Sequence, residues 1–194
     1  MDNTTMLIVL GVIVVVAIAA VAVWQAQKSR RLKQQFGAEY DRTVGDAGSR
    51  RRAEAELAAR EKRVRAMEIR PLSNVDRARF VDDWRRVQAE FVDDPKRAIV
   101  NADRLLGDVM ATRGYPVSDF AQRSQDLSVD HPEVVEHYRL GHDIALAHER
   151  GEADTEDLRQ AMVHFRELFE ELVEGPALYR ADAGSHPESS HVRH

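Results

Sequence analysis

The sequence predicts an all-α protein: an N-terminal transmembrane helix, a helical stalk or hairpin, and then a small antiparallel bundle of about four to five helices. Three observations carry that expectation. Met6 to Trp24 is a run of nineteen residues without one charged or strongly polar side chain. Beyond residue 70, apolar residues recur at spacings of three and four between recognisable helix caps. No segment shows the sustained period-two alternation of a half-buried strand.

The apolar run comes first. At about 1.5 Å per residue it extends about 28 Å, close to the roughly 30 Å hydrocarbon core, and a helix satisfies its own backbone where water is absent. Trp24 falls at its far end, where an indole favours the interface. Only Asp2 carries a side-chain charge before the run, whereas Lys28, Arg30, Arg31 and Lys33 come closely behind it. Basic residues beside a span stay in the cytoplasm. Met6, Trp24 and these four cations therefore predict a single-pass anchor in the cell membrane, with the N-terminus outside and the C-terminal domain cytoplasmic. The rival reading is a cleaved secretory signal, with Ala20-Val21-Ala22 as the small-x-small site, which would release a secreted helical protein. Against it stand the missing basic n-region, a run longer than the usual ~7 to 15 residues, and the basic cluster directly behind it.

Of the 194 residues, about 170 lie beyond the run, enough for one ordinary domain with a stalk and a tail. The organisation reads as an anchor over 1–27, a basic helical stalk or hairpin over 28–70, a helical bundle domain over 71–176, and a Ser-, Pro- and His-rich tail over 177–194, expected to be disordered. Cysteine is absent, which excludes disulfides, thiolate zinc sites, CxxC redox chemistry and a cysteine nucleophile. Charge is uneven. Residues 25–70 hold 13 Lys/Arg against 7 Asp/Glu, net +6, while residues 71–194 hold 15 against 25, net −10. A basic collar precedes an acidic body.

In the collar, Leu32, Phe36 and Tyr40 recur every four residues, so the first helix is expected to continue with one apolar stripe until Gly45-Asp46-Ala47-Gly48-Ser49 breaks it. A second helix, Arg50 to Ile69, sets Ala53, Leu57, Arg60, Val64 and Met67 on a heptad seam, less than three heptads of coiled coil. A short linker with two glycines favours an antiparallel hairpin over a dimer, in which Arg60 would face its own copy. The cations read first as a solvated stalk whose charges set topology, with a surface for the lipid bilayer and anionic lipid as the functional alternative. Interleaved glutamates and the acidic whole argue against nucleic acid.

In the body, Ser73-x-x-Asp76 opens a helix with Phe80, Val81, Trp84, Val87 and Phe91 on one face, ending at Asp93-Asp94-Pro95. The next carries Ala98, Ile99, Ala102, Leu105, Leu106, Val109 and Met110 and closes at Gly114. Tyr115-Pro116-Val117 reads as an extended connector, leading into a short helix from Ser118 with Phe120 and Leu127 inward. Asp130 as N-cap and Pro132 in the first turn predict a helix to Arg150 with Val134, Val135, Tyr138, Gly141, His142 and Ala145 inside. Thr155 is the expected cap of the last helix, whose stripe is Leu158, Ala161, Met162, Phe165, Leu168, Phe169 and Leu172, up to Gly175-Pro176.

Four stretches of this body, WRRVQAEFVDDP from Trp84, RGYPV from Arg113, DLSVDHP from Asp126 and RQAMVHFRELF from Arg159, resemble a family of uncharacterised bacterial proteins with an N-terminal hydrophobic segment and an all-helical domain. The likeness covers most of Leu32 to Val173. It implies a folded domain, and no activity, ligand or catalytic residue comes with it.

Histidine is the suggestive residue class, at 131, 137, 142, 148 and 164 within the body. Two ligands on one helix need a spacing of three or four, whereas 137, 142 and 148 are five and six apart, and His164 with Glu167 is a lone pair. No metal and no cofactor is expected, and His142 is expected to be a packed, hydrogen-bonded side chain. GxxxxGK[ST], GxGxxG and GxSxG are absent. Arg113-Gly114-Tyr115-Pro116 reads as helix capping rather than a recognition loop with an exposed aromatic. Catalytic residues are unknown, and the expectation leans away from an enzyme. Two classes remain: a membrane-tethered helical interaction or scaffold module, its acidic body offered to an unknown protein partner, or a membrane-anchored enzyme whose site is assembled from residues distant in sequence.

Overall fold

The computed structural model describes residues 3–175, and its regular structure there is entirely helical: α1 Asn3–Phe36, α2 Ala38–Ala47, α3 Arg50–Arg65, α4 Asn74–Asp93, α5 Pro95–Arg113, α6 Phe120–Asp130, α7 Val135–Glu149 and α8 Thr155–Glu174. The tail over 177–194 lies outside the described residues. The chain forms two compact units, the first ending at Lys62 and the second beginning at Arg63, within the last turn of α3.

In the first unit the path departs from the expected continuous helix. Gly37 adopts φ 50° and ψ −126° and separates α1 from α2. The positive φ is a conformation that glycine reaches without a Cβ clash. Ser29 Oγ lies 3.2 Å from the Tyr40 hydroxyl, whereas an unbroken helix would put residues 29 and 40 about 16 Å apart along its axis. The chain therefore turns back at Gly37, and α2 returns beside the end of α1. Gly45, expected in the break, lies inside α2, and the second turn is made at Gly48 with φ 66°.

This double reversal keeps the apolar stripe. Leu32, Phe36 and Tyr40 are buried, as are Ala53 and Leu57 on α3. Arg60 is buried as well, with Nη1 2.7 Å from Glu39 Oε1, so the seam's one cation is neutralised by a partner from α2. A buried ion pair contributes little net stability, but removing one partner strands the other charge. Helix α3 stops at Arg65 rather than Ile69: the Ala66 and Met67 N–H groups close a tighter turn on the Arg63 and Val64 carbonyls, and further on the Arg70 N–H donates to the Arg113 carbonyl at 2.8 Å.

The second unit is delimited by its caps. Ser73 accepts from the Asp76 N–H to start α4. Asp94 closes α4 through its own N–H to Glu90 O and starts α5 by accepting from Arg97 N–H, so a single residue joins the two helices. Three starts differ from expectation. Asp119, not Ser118, caps α6, and Asp130 ends α6 instead of capping α7, which begins at Val135 without a side-chain cap. Asp154 caps α8 in a capping box with Asp157, one residue before Thr155.

Helices α4, α5, α7 and α8 share one core. Phe80, Trp84, Val87, Leu105, Leu106, Val109, Tyr138, Leu158, Phe165, Leu168 and Phe169 are all buried in it, while Phe91, in the last turn of α4, is only half-buried against its edge. Trp84 stacks on Phe169 with ring centroids 4.7 Å apart, joining α4 to α8. Helices α7 and α8 approach closely at Gly141: a Cβ there would sit 2.6 Å from Phe165 Cε1 and 3.3 Å from the Ala161 carbonyl oxygen.

Two variants test this packing by thermal or urea unfolding of the full chain. Trp84→Ala leaves Phe169 without its ring partner and is expected to cost about 3 to 5 kcal/mol. Gly141→Ala adds a single methyl, yet it must displace the buried Phe165 ring and is expected to cost about 1 to 3 kcal/mol. A midpoint unchanged in either variant contradicts the core as described.

Candidate functional site

The N-terminal part of α1 is distinguished by what does not cover it. Every residue from Gly11 to Gln27 is exposed, including Val12, Ile13, Val15, Ile18 and Trp24. Over Gly11–Phe36 the helix is long and apolar enough to cross a membrane. Coverage begins at Lys28 and Ser29, where the exposed apolar face gives way to polar contacts.

Those contacts form one network. Arg50 Nε lies 3.1 Å from Ser29 Oγ, 3.0 Å from the Tyr40 hydroxyl and 3.0 Å from Glu54 Oε1. Tyr40 donates to the same Glu54 oxygen at 2.9 Å, and Ser29 also hydrogen-bonds both Glu54 and Arg50 Nη2. The hydrogen bond that Arg50 donates to Glu54 holds the guanidinium above its already high range. Beside the network a cleft of about 650 Å³ is lined by Trp24, Lys28, Ser29, Arg50, Arg51 and Glu54, with Ala22, Ala26 and Ala55 between them. The Lys28 ammonium lies 5.8 Å from the centre of the Trp24 ring.

Of the expected basic flank, Lys28 faces this cleft and Arg30 is exposed. Arg31 donates to Glu61 at 2.6 Å, and Lys33 pairs with Asp41 at 3.3 Å. Met6 lies within α1. Arg50, Arg51 and Glu54 were not legible as neighbours of Trp24, because nothing in the charge pattern says that the chain turns back. The signal present in the sequence was Gly37, inside an otherwise helical stripe.

The second unit gathers several titratable groups. His131 is buried, with Nδ1 2.9 Å from Glu171 Oε1 and Nε2 without a hydrogen-bond partner. Burial pushes its pKa down against the opposing pull of Glu171, so the ring is neutral and Nδ1–H donates to the carboxylate. Tyr138 donates to Asp103 at 2.9 Å, whose other oxygen accepts from Arg123 at 3.2 Å; burial pushes the phenol up, so it stays protonated. His142 stacks on Phe120 at 3.6 Å between ring centroids. His137 and His164 meet Nδ1 to Nδ1 at 3.0 Å, a pair invisible in the sequence because its members stand on different helices. Among the described residues no three His, Cys, Asp or Glu side chains converge as a metal site. Tyr115 is buried, its hydroxyl 3.3 Å from Asp130.

Between α4 and α5 a groove of about 530 Å³ is lined by Asp83, Arg86, Glu90, Arg97, Asn101 and Asp108 among others. Its charges alternate and pair internally: Glu90 accepts from Asn101 at 2.6 Å and also bonds Arg97. Such a surface is largely self-satisfied, and it favours no single sign of ligand.

Compared with family models, curated proteins and solved structures, the chain has no match. The reading of these sites therefore rests on their geometry.

Three histidines set a pH dependence. Burial lowers the pKa of His131, His142 and His164 on folding, so the unfolded chain binds more protons than the folded one just below the ordinary imidazole value of about 6.5. The stability they contribute is full above that value and is lost as pH falls through their lower folded values. Glu90, held low by Asn101 and Arg97, and Glu156, held low by Arg159, lose their contribution only below the ordinary carboxylate range. The unfolding midpoint is expected to fall between about pH 7 and pH 5, and His131→Asn to flatten that fall. A midpoint flat with pH in the native chain, or an undiminished fall in the variant, contradicts the assignment.

Proposed function

We propose that this protein is a membrane-tethered helical interaction module. Helix α1 spans the lipid bilayer with its N-terminus outside, the collar of α1, α2 and α3 lies against anionic lipid on the cytoplasmic side, and the helices from α4 onward form a small antiparallel bundle that presents an acidic surface to a protein partner. The observation that carries this reading is the exposed, uncharged length of α1 from residue 11 to residue 27, with Lys28, Arg30, Arg31 and Lys33 immediately after it. So much apolar surface left in water would be strongly unfavourable, at about 25 cal/mol per Å², and a bilayer removes that cost. The cations behind it favour retention of that flank in the cytoplasm. In the body, the net −10 of residues 71–194 supports an electropositive partner over nucleic acid. The heptad seam of α3 is occupied within the chain, since Arg60 meets Glu39, which supports a monomeric collar over an intermolecular coiled coil.

Topology is the part most open to direct measurement. The chain has no cysteine, so Val92→Cys, at an 83% exposed position near the end of α4, introduces a single thiol. A membrane-impermeant maleimide is expected to leave it unlabelled in intact cells and to label it after permeabilisation. Labelling in intact cells would overturn the cytoplasmic placement, and a mature chain shortened after Ala22 would replace the anchor with a cleaved signal.

A further inference from the structure

The turn at Gly37 brings cations together that the sequence keeps apart. Because α2 runs back along α1, the start of α3 returns to the level of Trp24 and Ser29, and Arg50 and Arg51 line the same cleft as Lys28. This is the level at which α1 passes from exposed apolar side chains to polar ones.

The cleft is amphipathic along the helix. Its earlier turns contribute Ala22 and Trp24, with Trp24 62% exposed, and its later turns contribute Lys28 and Ser29. Three cations face one carboxylate, and that carboxylate, Glu54, is already hydrogen-bonded to Ser29, Tyr40 and Arg50. Arg50 is oriented by those bonds yet remains 67% exposed, and a guanidinium carries five N–H donors, so donors remain for a ligand. A fixed guanidinium beside an ammonium is the arrangement that receives phosphate oxygens. The volume of about 650 Å³ lies within the range of small-molecule clefts.

We propose that this cleft binds the phosphodiester head group of an anionic glycerophospholipid, with phosphate oxygens on Lys28, Arg50 and Arg51 and the glycerol and first acyl carbons along Trp24 and Ala22. Charge selects the anionic class, because a zwitterionic head would bring its own cation beside three others. The apolar lining selects a lipid over free phosphate. The proposal rests on the membrane reading of α1 and gives the lipid contact of the collar a defined place.

The test uses the full chain reconstituted into phosphatidylcholine vesicles holding a minor share of phosphatidylglycerol, with bromine on the acyl chains of one lipid or the other. Bromine quenches an indole it touches. Trp84 is 5% exposed and stacked on Phe169, so the quenching reports Trp24. Brominated phosphatidylglycerol is expected to quench several-fold more per molecule than brominated phosphatidylcholine. Arg50→Gln with Arg51→Gln should abolish that preference, while Arg51→Gln alone, which leaves the Ser29–Tyr40–Glu54–Arg50 network in place, should lower it to about half. Arg30→Gln with Lys33→Gln removes the same charge outside the cleft and should preserve it. Equal quenching by the two lipids in the native chain would overturn the site while leaving the anchor standing, as would an equal loss in both double variants, the signature of diffuse attraction. No quenching by either lipid would overturn the membrane reading and the site with it.

Discussion

The exposed apolar length of α1 is the constraint on which the rest of the chain's organisation depends. From residue 11 to residue 27 no side chain is covered, and apolar surface of that kind is unfavourable in water. A helix is the form in which that length can leave water, since each backbone donor and acceptor beyond the first and last turns is paired internally. The chain then changes character within a few residues. Lys28, Ser29 and Arg30 begin a segment in which polar groups meet one another, and the first covered side chains appear there.

The remainder of the first unit buries a short apolar stripe, Leu32, Phe36, Tyr40, Ala53 and Leu57, and is fastened by a few polar contacts. The turn at Gly37 depends on a backbone conformation that most side chains resist, and it is fastened by Tyr40 and Ser29 from the two sides of the turn, with Glu54 and Arg50 reaching in from α3. The pair of Glu39 and Arg60 adds a second fastening between α2 and α3. Both are directional, so they fix register as well as proximity. The second unit is built on a larger, continuous apolar core to which α4, α5, α6, α7 and α8 all contribute, with charges at its surface arranged in short-range pairs such as Arg85 with Asp82 and Arg159 with Glu156. Pairs of that kind contribute little to stability, but they temper the acidic exterior by setting a cation beside many of its carboxylates.

Much of the helical layout was legible because caps and stripes are local. Ser73, Asp94 and Gly114 act where their chemistry says they act, and the three- and four-residue spacing of Trp84, Leu105 and Phe165 marks the faces they bury. The reversal was not legible for a definite reason. A stripe reports which side chains are covered, not the direction in which the chain runs, and Leu32, Phe36 and Tyr40 are covered on either path. Asp130 failed as a start signal because its neighbourhood offers two competing readings; the cap at Asp119 lets α6 run on until Asp130 closes it. The meetings of His137 with His164 and of His131 with Glu171 belong to helix packing, for which a single sequence carries no local sign.

The central claim is that the chain beyond the apolar helix folds back and sets its cations at the apolar boundary. The most direct measurement joins Gln25 and Arg51, both of which line the cleft. In a Gln25→Cys, Arg51→Cys variant of this cysteine-free chain, a short bifunctional thiol-reactive cross-linker (a bis-maleimide) is expected to alkylate both thiols and close an intramolecular bridge rapidly and in high yield. A helix running unbroken to Val44 before turning would hold those positions about 25 Å apart, and failure of the short cross-linker to bridge them would contradict the account.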